Sequence, residues 1–454
     1  MVTTPAPGVA RAAGRAVPGR NRPSHDMPGF DLAKIREDFP ILTRQINGRP
    51  MAYLDSANTS QKPRQVLDVM REHYERHNAN VARAVHTLGT EATQAYDAAR
   101  AKVAAFIAAS RPDEVVFTKN ASEAINLVAY AFSNATTGGG ALSGAPSHAM
   151  DDRFRLGPGD EVVISEMEHH SNIVPWQLLC ERTGATLRWF GLTDEGRIDW
   201  SQLDDLVNER TKIVSYVLVS NILGTVNPTK ALVERARQVG ALVMLDCSQA
   251  VPHMPVDVAE LDVDFICFTG HKMCGPTGIG VLWGRHELLR AMPPFLGGGS
   301  MIETVTMQKS TFAAPPEKFE AGTPPIAQAV GLGAAVDYLS SVEMEAIRWH
   351  EKLLTAYALD ALETVPGLRI IGPRVPIGRS GTISFVMDGI HPHDVGQVLD
   401  AEGVEVRVGH HCARPTCLRY GVPATTRASF YLYNTTEEVD ALAQGLERVR
   451  KVFA

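Results

Sequence analysis

Residues 241–249 read Ala-Leu-Val-Met-Leu-Asp-Cys-Ser-Gln, and residues 265–272 read Phe-Ile-Cys-Phe-Thr-Gly-His-Lys. Each is an apolar run that ends on a polar residue, Asp246 in the first and Thr269 in the second, with Lys272 just beyond. A lysine after one strand end and an aspartate after a neighbouring one suit pyridoxal 5'-phosphate (PLP). The lysine forms a Schiff base with the aldehyde, and the aspartate keeps the pyridine nitrogen protonated so that the ring accepts electrons. Far downstream, Arg407-Val408-Gly409-His410-His411-Cys412-Ala413 places a cysteine in a basic, glycine-relieved loop of the kind that favours a thiolate. The two features together point to PLP beside a nucleophilic sulfur.

Apolar runs continue outward from this pair. Strands are expected at 114–118, 161–165, 186–190, 213–219, 241–246, 265–269 and 280–283, with helices at 122–132, 173–181 and 230–239 between them. Such alternation implies an α/β fold: a mainly parallel seven-stranded sheet covered by helices, with ligands at the carboxyl ends of the strands. From about residue 331 the character changes to a smaller α+β domain. One long helix is expected at 331–363, strands at 381–387, 404–408 and 427–433, a helix at 393–401, and a last helix from Thr435. The expected division is therefore a large PLP-binding domain over 55–330 and a C-terminal small domain over 331–454. The segment 30–54 is expected to pack on the small domain after a short capped helix at 31–36. Residues 1–29, with arginines at 11, 15, 20 and 22, read as a disordered extension. The glycine-rich stretch 134–153 reads as a flexible surface insertion.

Composition excludes several classes. The 454 residues carry a net charge of -7, which disfavours nucleic acid or anionic membrane as the main partner. No apolar run is long enough to cross a bilayer. None of the six cysteines lies in a Cys-x-x-Cys pair, and four sit inside apolar stretches, as expected of reduced, cytoplasmic protein.

Individual residues carry two readings each. Ser122, in Lys119-Asn120-Ala121-Ser122 after the 114–118 run, is either a simple N-cap or a phosphate ligand at a helix start. Thr269 and His271 could add donors to the same phosphate. His169, in Glu168-His169-His170, is either structural or stacks on the cofactor ring and moves protons near neutrality. Gln249 is either a solvated surface residue or a donor to the phenolic oxygen. Arg427 heads an apolar run, where an unpaired charge is costly, so it either grips a substrate carboxylate or pairs with an acidic side chain. Arg407 shares that ambiguity, and Asn221 could add a donor. Around Cys412, a zinc site from His410, His411 and Cys417 competes with nucleophilic sulfur, but the ligand spacing is not one recognised for zinc, so no metal is expected.

With these residues assembled, the chain resembles the SufS-type (group II) cysteine desulfurases, members of the class V aminotransferase family with the PLP-dependent transferase fold type I. The likeness covers about residue 31 to the C-terminus, outside 134–153. Its motifs are Leu54-Asp55-Ser56-Ala57 with Gln61-Lys62-Pro63, Glu168-His169-His170, Asp246-Cys247-Ser248-Gln249, Thr269-Gly270-His271-Lys272, Ala321-Gly322-Thr323-Pro324 and the Arg407 to Cys412 run. The resemblance implies that Lys272 binds PLP, Asp246 pairs with the pyridinium, Gln249 meets the phenolic oxygen and His169 stacks on the ring. It implies phosphate contacts from Ser122, Thr269 and His271, and from Thr323 across a homodimer. Arg427 would take the carboxylate of L-cysteine, and Cys412 would accept its sulfur as a persulfide for an acceptor protein in iron–sulfur cluster assembly. Ala82-Arg83-Ala84 and Asn120-Ala121-Ser122 depart from the family's His-Arg-Gly and Gly-Thr-Thr patterns. A selenocysteine lyase, a kynureninase-like or transaminating relative, and a non-catalytic interaction protein on the same fold are the alternatives.

Overall fold

Seven strands form the main sheet of the computed structural model, which describes residues 30–83, 85–136 and 152–454. They are β1 (Val115–Thr118), β2 (Glu161–Ser165), β3 (Thr186–Phe190), β4 (Thr211–Val217), β5 (Leu242–Asp246), β6 (Phe265–Thr269) and β7 (Gly280–Gly284), in the order β1-β7-β6-β5-β4-β2-β3. Only β7 runs against its neighbours; the other pairings are parallel. The strands read as near-continuous apolar runs because both faces of the sheet are covered. Val243 and Leu245 of β5 face one core with Ile266 and Phe268, while Leu242 and Met244 face the other with Phe265 and Cys267. This period-two split fixes the register, since a one-residue slip would exchange the two faces.

Helices α1 (Arg64–Arg76), α2 (Thr87–Phe106), α3 (Ala121–Thr136), α4 (Val174–Thr183) and α5 (Lys230–Val239) belong to this body. The single helix expected at 331–363 is in fact two, α6 (Ile326–Val342) and α7 (Met344–Glu363). They break at Glu343, which has φ 72°. Neither glycine nor proline marks that break, so periodicity alone ran through it. Helix α6 packs on α1 and α2, and a Cβ at Gly333 would lie 3.0 Å from that of Ala99. It thus stays with the main body, beyond the expected boundary at 331. At the two ends of the expected insertion, α3 continues to Thr136 and a 3-10 turn spans Asp152–Phe154. What was expected of 1–29 and 137–151 lies outside the described residues.

The C-terminal part carries an antiparallel sheet of β8 (Leu368–Ile371), β9 (Thr382–Met387), β10 (Arg407–Gly409) and β11 (Thr425–Ser429), ordered β8-β9-β11-β10. Helices α7, α8 (Pro392–Ala401) and α9 (Thr436–Phe453) cover it, α9 starting from a capping box of Thr435 and Glu438. The N-terminal segment divides its contacts. Ala52 and Leu54 enter the C-terminal core, where Ala52–Tyr53 pairs in parallel with Val404–Glu405. Phe30, Ile35 and Phe39 instead join the core that includes Tyr338 and Tyr433.

One glycine ties the sheet to the helix start that faces the site. A Cβ at Gly280 would lie 2.4 Å from the carbonyl carbon of Asn120 and 2.5 Å from its Cα, both backbone atoms that cannot swing away. Gly280→Ala is therefore expected to lower stability by about 1–3 kcal/mol, read as a lower urea midpoint.

Candidate active site

The carboxyl ends of β1, β2, β4, β5 and β6 surround a cavity of about 230 Å³. Lys272, Asp246, Gln249, His169, Ser122, Thr269, His271, Asn221, Arg407, Arg427 and Cys412 all line it. Thr323 does not; it is exposed beside Phe117 and Phe319, where Asn80 Nδ2 donates to its hydroxyl at 3.4 Å. The resemblance had assigned Thr323 to the neighbouring subunit's site, not to its own.

Local structure explains each position. Asn120, not Ser122, caps α3: its Oδ1 accepts from Glu123 N at 2.9 Å. Ser122 is thereby released from capping and its hydroxyl meets that of Ser171 at 2.5 Å, beside a helix start with free N–H groups. Asp246 ends β5, and its Oδ1 accepts from Ser248 N at 2.9 Å. Gln249 donates one amide hydrogen to Ala57 O at 2.6 Å, leaving a second. Nδ1 of His169 accepts from Ser171 N at 3.1 Å, which places the ring proton on Nε2.

Burial sets the ionisation of the cavity floor. It pulls the Lys272 ammonium down to about 8, with Arg427 adding to the fall and Asp246 opposing it. Burial and the Lys272 charge push His169 down to about 4, and the same two causes with Lys62 do so for His271. The expectation that His169 titrates near neutrality is therefore corrected: the ring is neutral at physiological pH. Arg427 is likewise lowered by burial. Its Nη2 donates to Asp55 Oδ1 at 3.1 Å and its Nη1 to Asn221 O at 2.9 Å, so the ion-pair reading holds for one edge of the guanidinium.

The C-terminal domain delivers the sulfur. Cys412 is exposed and borders the same cavity as Lys272. His411 and Cys412 have φ 50° and 55°, left-handed values that cost non-glycine residues about 1–3 kcal/mol each. Two bonds from the main body hold them there: His170 N donates to Cys412 O at 2.6 Å, and Asn221 Nδ2 to His411 O at 2.7 Å. Arg414 N also donates to His170 Nε2 at 3.1 Å. No cluster of metal-ligating side chains occurs among the described residues.

Several participants escaped the sequence reading. Glu168 is fully buried beneath His169, accepting from Val217 N at 3.0 Å and Asn172 Nδ2 at 2.7 Å, and burial raises its carboxyl to about 8. Asp55 and Ser171 were also missed, although Glu168 and Asp55 each stood in a quoted motif. A buried carboxylate partner leaves no mark in one-dimensional spacing.

The lining fits PLP. Among the described residues, Asn221 Oδ1, Gln249 Oε1, His411 Nδ1 and Arg427 Nε are buried without a hydrogen-bond partner. Unsatisfied buried polar atoms are rare, and four bordering one cavity are accounted for by a polar occupant. An amine, a carboxylate at the neighbouring strand end, and hydroxyls beside a helix N-terminus match an aldehyde, a pyridine nitrogen and a phosphate respectively.

Comparison with known proteins agrees. The aminotransferase class-V family model matches residues 52–442. A Streptomyces coelicolor protein described as "Probable cysteine desulfurase" is 63% identical over 94% of this chain and 99% of its own. The solved cysteine desulfurase of Escherichia coli, in an S-sulfonic acid form, is 35% identical with TM-score 0.81, covering 93% of this chain and 99% of that one. The apo cysteine desulfurase of Thermococcus onnurineus is 36% identical with TM-score 0.83, covering 92% and 98%.

Only a neutral amine adds to an aldehyde, so a lowered Lys272 reacts at lower pH than an ordinary lysine, whose value is about 10.4. Capture of PLP by the apoprotein, followed by visible absorbance, is expected to accelerate with rising pH through a midpoint near 8. Asp246 raises Lys272, so Asp246→Ala is expected to move that midpoint lower.

Proposed function

Because the chain belongs to the class-V aminotransferase family, we propose that it is a PLP-dependent cysteine desulfurase of the SufS type, converting L-cysteine to L-alanine with transfer of sulfur to Cys412. The observation that carries this reading is convergence: Cys412 from the C-terminal domain and Lys272 from the main body border one cavity.

When bound, the cofactor supplies an electron sink for the pair released at the substrate Cα. Lys272 would hold its aldehyde, Asp246 its ring nitrogen and Gln249 its phenolic oxygen, with His169 against the ring. Ser122, Thr269, His271 and the α3 N-terminus would hold the phosphate. The depressed Lys272 amine is suited to take the Cα proton at physiological pH. The neutral His169, its proton on Nε2, is suited to donate a hydrogen bond on the substrate side. Arg427 offers its unpaired Nε to the substrate carboxylate, with Asn221 and Arg407 beside it.

Thiolate Cys412 attacks the substrate sulfur. A sulfur–sulfur bond forms and the carbon–sulfur bond breaks, its electron pair staying with carbon, which takes up protons to become alanine. The left-handed backbone at His411 and Cys412 supports this role, because it turns the side chain toward the cavity while leaving it exposed. That exposure also lets an acceptor protein with its own thiol collect the sulfur, as iron–sulfur cluster assembly requires. A cytoplasmic homodimer is the assembly we infer. Exposed Thr323 and the exposed apolar Val85, Leu88 and Leu296 support a subunit contact, and no described helix is long and apolar enough to cross a membrane.

Mass spectrometry after incubation with L-cysteine is expected to find one added sulfur atom on Cys412. In Cys412→Ser, alanine release is expected to fall by about two orders of magnitude or more while cofactor absorbance is kept. Full turnover in that variant would instead indicate a transaminating or kynureninase-like reaction.

A further inference from the structure

The carbonyl oxygen of His271, which belongs to the peptide bond joining His271 to Lys272, receives four donors from one short stretch. Lys62 Nζ lies at 2.9 Å, Ser60 N at 3.0 Å, Thr59 Oγ1 at 3.0 Å and Ser60 Oγ at 3.1 Å. A carbonyl oxygen has two lone pairs, so the grouping exceeds ordinary satisfaction of one acceptor. Ser60 Oγ also accepts from Cys274 N at 2.8 Å, so Ser60 holds the chain on both sides of the lysine. Lys62 is half-buried and makes no ion pair with any carboxylate among the described residues; its Nζ also donates to Ser60 O at 2.5 Å and to Ser60 Oγ at 3.4 Å. A desolvated ammonium that spends its donors on neutral oxygens, with no carboxylate to answer its charge, is costly unless its position is used.

We propose that Lys62, with Thr59 and Ser60, is a positioning residue for Lys272, acting through the His271–Lys272 peptide. Lys62 does not line the cavity, so it touches neither substrate nor cofactor. Its charge-assisted bond fixes the plane of the peptide that carries the reactive lysine, and so limits where the amine can travel. Lys62 also contributes to keeping His271 uncharged, which joins the clamp to the expected phosphate end of the site. Burial brings Lys62 itself down to about 8. The inference rests on the reading of Lys272 as the amine that captures PLP.

The test uses the full-length apoprotein and PLP, with capture followed by visible absorbance at several pH values and thermal unfolding measured alongside. Lys62→Met is expected to slow capture about tenfold or more, since small misplacements of a reacting group cost rates of this order. The tenfold difference should be read below about pH 8, where Lys62 still carries its charge; above that the parent loses the charge-assisted bond as well, and the two rates should converge. A purely structural role would lower the unfolding temperature but leave capture by the folded protein within twofold of the parent, and that result overturns the proposal. If Lys62→Met does not fold, Lys62→Gln carries the same test with the same thresholds, its neutral amide being unable to make the charge-assisted bond. Lys272→Ala separates the two readings: it must abolish capture, and persistent capture there overturns the assignment of Lys272 and this inference with it.

Discussion

Two backbone carbonyls carry the architecture of the site. Those of His411 and Cys412 point back at the main body and are taken by Asn221 and His170, at the ends of different strands of the large sheet. Without these bonds two consecutive non-glycine residues have little reason to stay left-handed, and the sulfur loses its place above the cavity. These bonds are among several that join the C-terminal part to the main body: Ser384 Oγ donates to Ile222 O at 2.6 Å and Ser380 N to Gly224 O at 2.8 Å. An exposed loop held by a few bonds can also open locally at less cost than core elements, which suits the role proposed for Cys412 of receiving sulfur inside and releasing it outside.

Around that contact the cavity floor is built from groups whose charged forms burial disfavours. Lys272, His169 and His271 are all lowered, and Arg427 spends one edge on Asp55 and keeps Nε free. A floor of fully charged cations would repel itself, and one positive charge, Arg427, already favours loss of a proton from Lys272. Parallel strands make this arrangement possible, because their carboxyl ends gather polar residues while apolar runs fill the sheet beneath them.

Much of this was legible in one dimension. The seven apolar runs lay close to their observed bounds, because strands covered on both faces must be apolar throughout. Lys272 and Asp246 announced themselves by chemistry at strand ends. The break at Glu343 did not, since apolar periodicity continues across it and a positive φ at glutamate has no sequence mark. Asn120 makes the cap that was one of two readings of Ser122, because both residue types cap helices and only backbone geometry selects one.

By itself, then, the sequence determined the α/β class, the strand ends that hold lysine and aspartate, and the cysteine in a basic loop, because these follow from periodicity and residue chemistry. Tertiary structure alone decided that Asp55 answers Arg427, that His169 stays neutral, and that Lys62 reaches the carbonyl beside Lys272 across 209 positions of chain. Ionisation and pairing depend on distance and burial in three dimensions, and neither is written in the order of residues.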